Sequence, residues 1–348
     1  MTSIHPENPT CYLAGTHILT LLGEVLVENL KIGDLLPTLS GQNVAIKWIG
    51  KKQCAGYFVL KDDSPVCFRA GSLGEDLPTR DLSVSAEHAM KIRDYLVDAR
   101  LLVNGVTITQ HRRVEQLEYY QLDLGEHHCI RAEGTWSESY AERSDNRATS
   151  ETIDELHQSH PDHTALALTK KCLPHLADRS DARLSALFQR LLALVPKDRI
   201  TTDADLHLLA DGRRIAPFNI DFQTYSFKIP TDTKVLRLKS RASSFSELGL
   251  SSDTRQLGFC VDSLSSCSRD KTLRVAINLQ RAKALQGFHP TEATTGRWTQ
   301  GEALLPNVLV GDGNEEMILT LTGRQMVRYH LGYTEISEDD FLRRLRPV

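Results

Sequence analysis

The chain has 348 residues, a quarter of them charged, and a formal net charge of −4. This length allows two domains, each with its own core, and the interspersed, nearly balanced charge argues against a nucleic-acid platform or a polybasic membrane patch. No apolar run approaches the roughly 20 residues of a spanning helix, and Met1 to Pro6 carry neither the basic nor the apolar region of a secretory signal.

The expected location is therefore the cytoplasm, or outside the cell by a route other than the general secretory one. Cysteines stand at 11, 54, 67, 129, 172, 260 and 267, with no C-x-x-C pair. Their scatter and odd number fit free thiols in a reducing compartment. Six of them read as small buried hydrophobes, and Cys11 alone sits in a motif.

Residues 1–10 are polar, include Pro6 and Pro9, and read as a flexible leader. Cys11 opens a dense stretch: Cys11 to Thr16, an apolar run Ile18 to Leu22, a turn at Gly23, then Val25, Val27 and Leu30 before a second turn at Gly33-Asp34. Short apolar runs broken by Gly, Pro, Asn and Asp continue to about 140. Strands are expected at Val44–Ile49, Val66–Phe68, Tyr95–Val97, Val106–Thr109 and Val114–Leu124, with Asn104-Gly105 as a hairpin-type turn. This pattern predicts an all-β first domain over 11–146.

Apolar residues thin out from 141, and 147–180 reads as a linker. His157, His160 and His163 recur there at three-residue steps, but Pro161 breaks helical geometry and a solvated linker is the simpler reading. Leu184, Leu187, Phe188, Leu191, Leu192 and Val195 then mark an amphipathic helix over Asp181 to Val195, ended by Pro196. Strands resume at Leu206–Leu209 (before an Asp211-Gly212 turn), Tyr225–Ile229, Val235–Lys239, Leu273–Leu279 and Met317–Thr322. The helix and these strands are grouped as a β-sandwich-like domain over 181–335, followed by a tail, 336–348, with a short helix at Glu338–Leu345. The fold class expected is mainly β.

Cys11 is a candidate nucleophile, and the nearest peptide carbonyl is that of Thr10. Expelling an amine from an amide requires a proton, and a histidine near neutral pKa can supply one. Ser83 to Met90 contains Ser85 and His88, a hydroxyl to orient the amide and an imidazole to protonate the nitrogen. A third segment runs Tyr119 to Leu124, then Glu126-His127-His128 and Ala132-Glu133-Gly134.

These ordered blocks resemble the Hint superfamily, which joins inteins to the autoprocessing domain of Hedgehog proteins. The match is to its bacterial branch: a C-x-x-x-G-T start at Cys11 to Thr16, G-E-x-x-V-E at Gly23 to Glu28, Gly33-Asp34, and W-I-G at Trp48-Ile49-Gly50. The resemblance implies a horseshoe-like all-β domain and an N-to-S acyl shift. Cys11 Sγ attacks the Thr10 carbonyl, His88 protonates the departing nitrogen, Ser85 orients the amide, and His127 fills the family's late histidine position. Gln121 stands where inteins place aspartate; it cannot act as a base, and Asp123 is the substitute on the same strand. The terminal His-Asn pair of inteins falls on Glu138-Ser139, neither of which can form a succinimide, so no splicing is expected. Cleavage at Thr10–Cys11 would release the ten preceding residues. The competing reading is a catalytically idle Hint scaffold or binding protein whose second domain carries the ligand.

In that second domain His289, Glu292, Arg297 and Trp298 lie close in sequence and form a candidate ligand shelf, for example for a glycan. The alternative is a loop anchored by Trp298 in the core. Gly71 to Asp81 reads as a wall beside the His88 strand, since its glycines match no nucleotide motif. No cofactor and no metal are assigned, and the acceptor nucleophile and any protein partner are unidentified.

Overall fold

The computed structural model describes residues 10–55, 64–110, 116–140, 172–269, 274–279, 281, 285–292, 296–311 and 315–331. The chain divides into two compact units; among the described residues the first runs to Val195 and the second is Pro196–Leu331. No helix among the described residues is long and apolar enough to cross a membrane. The leader before Thr10, the three linker histidines and the expected tail helix lie outside the described residues.

The first unit is built from two main sheets. In one, the strand order is Ile108–Gln110, Val66–Phe68, Leu82–Val84, Tyr12–Leu13, Gln116–Asp123 and Trp48–Ala55. In the other it is His175–Leu176, Tyr95–Asp98, Ala89–Ile92, Thr135–Glu138, Cys129–Ala132, His17–Thr20 and Gly23–Leu26. Apolar side chains of both sheets, among them Tyr12, Ile18, Phe68, Val84, Met90, Leu122 and Ile130, close one core. Removing that apolar area from water is the main drive for the arrangement. The short strand Tyr12–Leu13 lies in the interior of its sheet: Tyr12 pairs with Val84 on one side and Tyr120 on the other. Cys11 therefore enters the sheet between two strands that are distant from it in sequence.

Two local expectations are corrected. Asn104-Gly105 does not turn a hairpin. A short helix, Ala99–Leu102, precedes it, and the buried Asn104 carboxamide accepts the N–H groups of Val106, Thr107 and Ile108. A side chain that satisfies three backbone donors holds an irregular loop without strand pairing. The run Val44–Ile49 is split into Asn43–Ala45 and Trp48–Ala55, because Ile46 N–H leaves the strand to donate to Asp34 and Lys47 N–H to Asp123.

The helix Ala182–Ala193 begins at Asp181, whose carboxylate accepts the Arg183 N–H at 2.8 Å as an N-cap. Leu184, Leu187 and Leu191 on its apolar face are buried in the core of the first unit. The sequence grouped this helix with the second domain; its stripe finds its partner in the opposite direction along the chain.

The second unit has two main antiparallel sheets around one core, and Ile200–Thr201 pairs separately with Tyr329–His330. One runs Arg213–Ile215, His207–Ala210, Leu236–Lys239, Glu302–Leu304; the other runs Asn219–Asp221, Thr224–Ile229, Met317–Arg324, Cys260–Ser268, Arg274–Ile277. Leu208, Leu238 and Ala303 from the first meet Phe227, Val261, Leu319 and Leu321 from the second. Alternation along Met317–Arg324, with every second residue buried, is the pattern expected of a strand covered on one face. Asp211-Gly212 makes the turn read from the sequence, with Gly212 at φ +84°.

Candidate active site around Cys11

Cys11 is 2 % exposed and both of its backbone groups are engaged. Its N–H, the amide that joins it to Thr10, donates to Ser85 Oγ at 3.0 Å. Its carbonyl accepts the Ser85 N–H at 3.0 Å and lies 3.1 Å from His88 Nδ1. Ser85 and His88 stand just after the strand Leu82–Val84, which pairs with Tyr12. The following helix fixes their loop, because Ala99 N–H donates to His88 O and Arg100 N–H to Ala86 O. Tyr12 packs edge-on against the His88 ring, with centroids 4.5 Å apart.

A carbonyl only accepts, so His88 Nδ1 carries the proton in this contact. His88 Nε2 is buried and has no hydrogen-bond partner among the described residues. Burial pushes the ring down to about 4; the nearby Glu138 carboxylate and the Cys11 carbonyl oppose the shift without reversing it. At neutral pH the ring is therefore neutral. The sequence expectation put His88 on the scissile nitrogen. In the structure Ser85 holds that N–H, and His88 is one carbonyl further along.

Gln121 Nε2 donates to Cys11 Sγ at 3.5 Å. Asp123, the substitute read from the sequence, instead accepts the Gly125 N–H at its own turn at 2.6 Å. The sulfur thus meets an amide donor at this position, which favours charge on sulfur but cannot remove a proton. Gln121 faces Gly50 across the paired strands. A Cβ at Gly50 would lie 2.2 Å from the Trp48 ring and 2.7 Å from Gln121 Oε1, so the glycine of W-I-G leaves the space in which Gln121 lies.

The residue before the candidate scissile bond is anchored separately. Thr10 Oγ1 donates to Glu138 Oε1 at 3.2 Å. The same oxygen accepts the Ala89 N–H at 2.9 Å, and Glu138 Oε2 accepts from His127 Nε2 at 2.9 Å. His127 Nδ1 receives the Cys172 N–H at 3.2 Å. Burial opposes charge on His127, but Cys172 and Glu138 outweigh it and raise the ring to about 9. The backbone bond to Nδ1 suits the neutral ring; a cationic ring must turn Nδ1–H toward the Cys172 sulfur instead.

The structure thus brings Thr10, Cys11, Ser85 and His88 together and links His127 to Thr10 through Glu138. Sequence reasoning missed Glu138 and Cys172. Glu138 was noted only because it is not the histidine of a His-Asn pair, although its position at the end of Thr135–Glu138, next to Ala89–Ile92, brings a carboxylate beside the His88 loop. The wall Gly71 to Asp81 is pinned elsewhere: Thr79 N–H donates to Glu133 O, and Arg80 pairs with Glu133 and Glu24.

The candidate ligand shelf in the second unit is corrected. Arg297 is 5 % exposed, and its guanidinium donates to the backbone carbonyls of His289 and Leu279. His289 is buried, with Nε2 2.8 Å from Gln256 O, and Glu292 pairs with Arg255. Trp298 stands edge-on to Phe245, packed against the core. The polar groups of this cluster serve the fold, because buried donors need partners and find them in the backbone.

The family model described as Hint domain matches residues 10–144. Among solved structures, the chain is similar to a bacterial intein-like domain from Clostridium thermocellum, at 16 % identity over 38 % of this chain and 100 % of that one, with a TM-score of 0.30. It is similar to the gp41-1 intein at 12 % identity over 37 % of this chain and 98 % of that one, TM-score 0.28. A splice-inactive variant of the AceL NrdHF class 3 split intein gives 17 %, 38 %, 99 % and 0.27 for the same quantities. No curated protein matches. Residues 10–144 of the chain are a Hint domain.

Proposed function

We propose that the Hint domain cleaves its own chain at Thr10–Cys11 by an N-to-S acyl shift and does not splice. The observation that carries this reading is that both sides of one peptide bond are held by side chains: Thr10 by Glu138, the Cys11 N–H by Ser85. Such fixation places reactants without further loss of freedom, which is a large part of an intramolecular rate. Cys11 Sγ adds to the Thr10 carbonyl carbon, the C–N bond breaks, and the thiol proton ends on the amine nitrogen. The Ser85 hydroxyl, already on that nitrogen at 3.0 Å, relays the proton. His88 holds the Cys11 carbonyl, and Gln121 Nε2 favours charge on the sulfur. Water or another nucleophile resolves the thioester. Glu138 and Ser139 carry no carboxamide, so the second cleavage that splicing requires has no residue to perform it.

A second reading, an idle scaffold, draws on two observations: the sulfur is buried, and His88 engages the carbonyl of Cys11 instead of the scissile nitrogen. One experiment separates the two. A carrier protein is fused ahead of residue 1 and the full chain is incubated with hydroxylamine. Self-cleavage predicts carrier release that is absent in Cys11→Ala and about 100-fold slower in Ser85→Ala. Absence of release establishes the scaffold reading, and release that persists in Cys11→Ala overturns the Cys11 thioester.

A further inference from the structure

Cys129 and Cys172 are both free thiols, and their sulfurs stand 3.3 Å apart. Neither is used in the reaction above. Cys129 is buried at the start of the strand Cys129–Ala132, paired with Glu138. Cys172 is exposed and lies two residues before Pro174, whose carbonyl accepts the Leu96 N–H; His175–Leu176 then pairs with Leu96–Val97. Sheet pairing on both sides therefore holds the two sulfurs in register. A disulfide requires them to approach by only about 1 Å.

We propose that Cys129 and Cys172 are an oxidation site that closes to a reversible disulfide, and that its state is felt at Thr10 through His127 and Glu138. The chemistry follows from the asymmetry of the pair. The Cys129 thiol donates to Cys172, which lowers the Cys172 thiol; burial opposes this, and His127 adds to the lowering. Cys129 is shifted upward, chiefly by the same contact and by burial. Cys172 is thus the exposed, thiolate-prone partner, and Cys129 is the resolving thiol aimed at it. Given a hydroperoxide, the Cys172 thiolate attacks the peroxide oxygen, leaving Cys172 sulfenic acid and, after protonation, one water or alcohol. The Cys129 sulfur then displaces the sulfenic hydroxyl as a second water, and the S–S bond forms. Two thiols lose two electrons and two protons, and the peroxide gains them.

The coupling is structural. In the reduced protein the Cys172 N–H donates to His127 Nδ1 at 3.2 Å, and His127 Nε2 donates to Glu138 Oε2 at 2.9 Å. Closing the disulfide draws Cys172 toward Cys129 and shifts the N–H that holds the His127 ring. Glu138, which also holds Thr10, moves with its ring partner. This second half rests on the assignment of Thr10–Cys11 as the reactive bond; the disulfide does not.

The test begins with the unmodified full chain treated with equimolar hydrogen peroxide, digested without reductant and mapped by mass spectrometry. The expected product is a Cys129–Cys172 cross-linked peptide, lighter by two hydrogens than its two reduced parts and restored by dithiothreitol. In Cys129→Ser, Cys172 should instead be trapped by dimedone as the sulfenic acid. Peroxide that leaves both thiols open to alkylation, or that carries Cys172 to the sulfinic acid in the unmodified chain, overturns the proposal. The carrier fusion is then compared oxidised and reduced; a change of about fivefold or more in the hydroxylamine-driven rate is expected. Equal rates overturn the coupling. Absence of cleavage in both states removes the autoprocessing assignment and with it the coupling, while the peptide map stands or falls by itself.

Discussion

At the scale of single residues, the site is defined by which groups hold one peptide bond. Ser85 and His88 are 74 and 77 positions from Cys11, yet meet it because Tyr12 pairs with Val84. That part was legible, since the motif names the residues and the strands bring them in. The position of the His88 ring was not legible, because a one-residue choice between nitrogen and carbonyl is made by loop geometry. Glu138 was legible only as a missing asparagine. Its buried carboxylate serves Thr10, Ala89 and His127 together. Glu138→Ala should therefore leave His127 Nε2, the Thr10 hydroxyl and the Ala89 N–H without their shared acceptor and destabilise the first unit by about 3 kcal/mol, read by chemical denaturation. The two histidines also set the pH dependence with opposite signs. His88 falls from the ordinary 6.5 to about 4, so folding favours its neutral form. The stability it supports is present above 6.5 and is lost as pH falls toward 4, by roughly 3 kcal/mol. His127 rises from 6.5 to about 9, so its contribution is present below 6.5 and is lost as pH rises through 9. Stability measured against pH should show a flatter acid limb in His88→Gln and a flatter alkaline limb in His127→Gln. An acid limb unchanged by His88→Gln would contradict the burial of a neutral ring.

At the scale of elements, period and capping identified the helix Ala182–Ala193, including its start after Asp181. They did not identify its partner, because an apolar stripe states that a face must be covered and not by what. Asp181→Ala should cost about 1 kcal/mol through the lost cap. Leu187→Ala should cost about 2–5 kcal/mol through the cavity left in the core of the first unit. Both are read as shifts in the unfolding of that unit, and a shift confined to the second unit would contradict the packing. The W-I-G segment illustrates the same division. Its glycine was legible as a motif letter, but its cause, the space it leaves for Gln121 beside the Trp48 ring, exists only once two strands are paired. Gly50→Ala should displace Gln121 from Cys11 and lower the rate of thiol attack while leaving Ser85 in place.

At the scale of the whole molecule, two units with separate cores follow from the length and from the strands on either side of the helix. Leu184→Ala and Phe227→Ala should lower different calorimetric transitions, the first in the Hint-containing unit and the second in the β-sandwich. The aromatic and basic cluster near Trp298 looked like a binding shelf in sequence because composition does not reveal burial; Arg297 is enclosed and bonded to backbone. The proposed chemistry lies within the first unit and turns on a thioester between Thr10 and Cys11. Mass spectrometry of the carrier released by hydroxylamine tests it most directly. The expected fragment ends in a Thr10 hydroxamate, and no such fragment is expected from Cys11→Ala. A fragment that ends elsewhere, or an intact fusion after prolonged treatment, contradicts it.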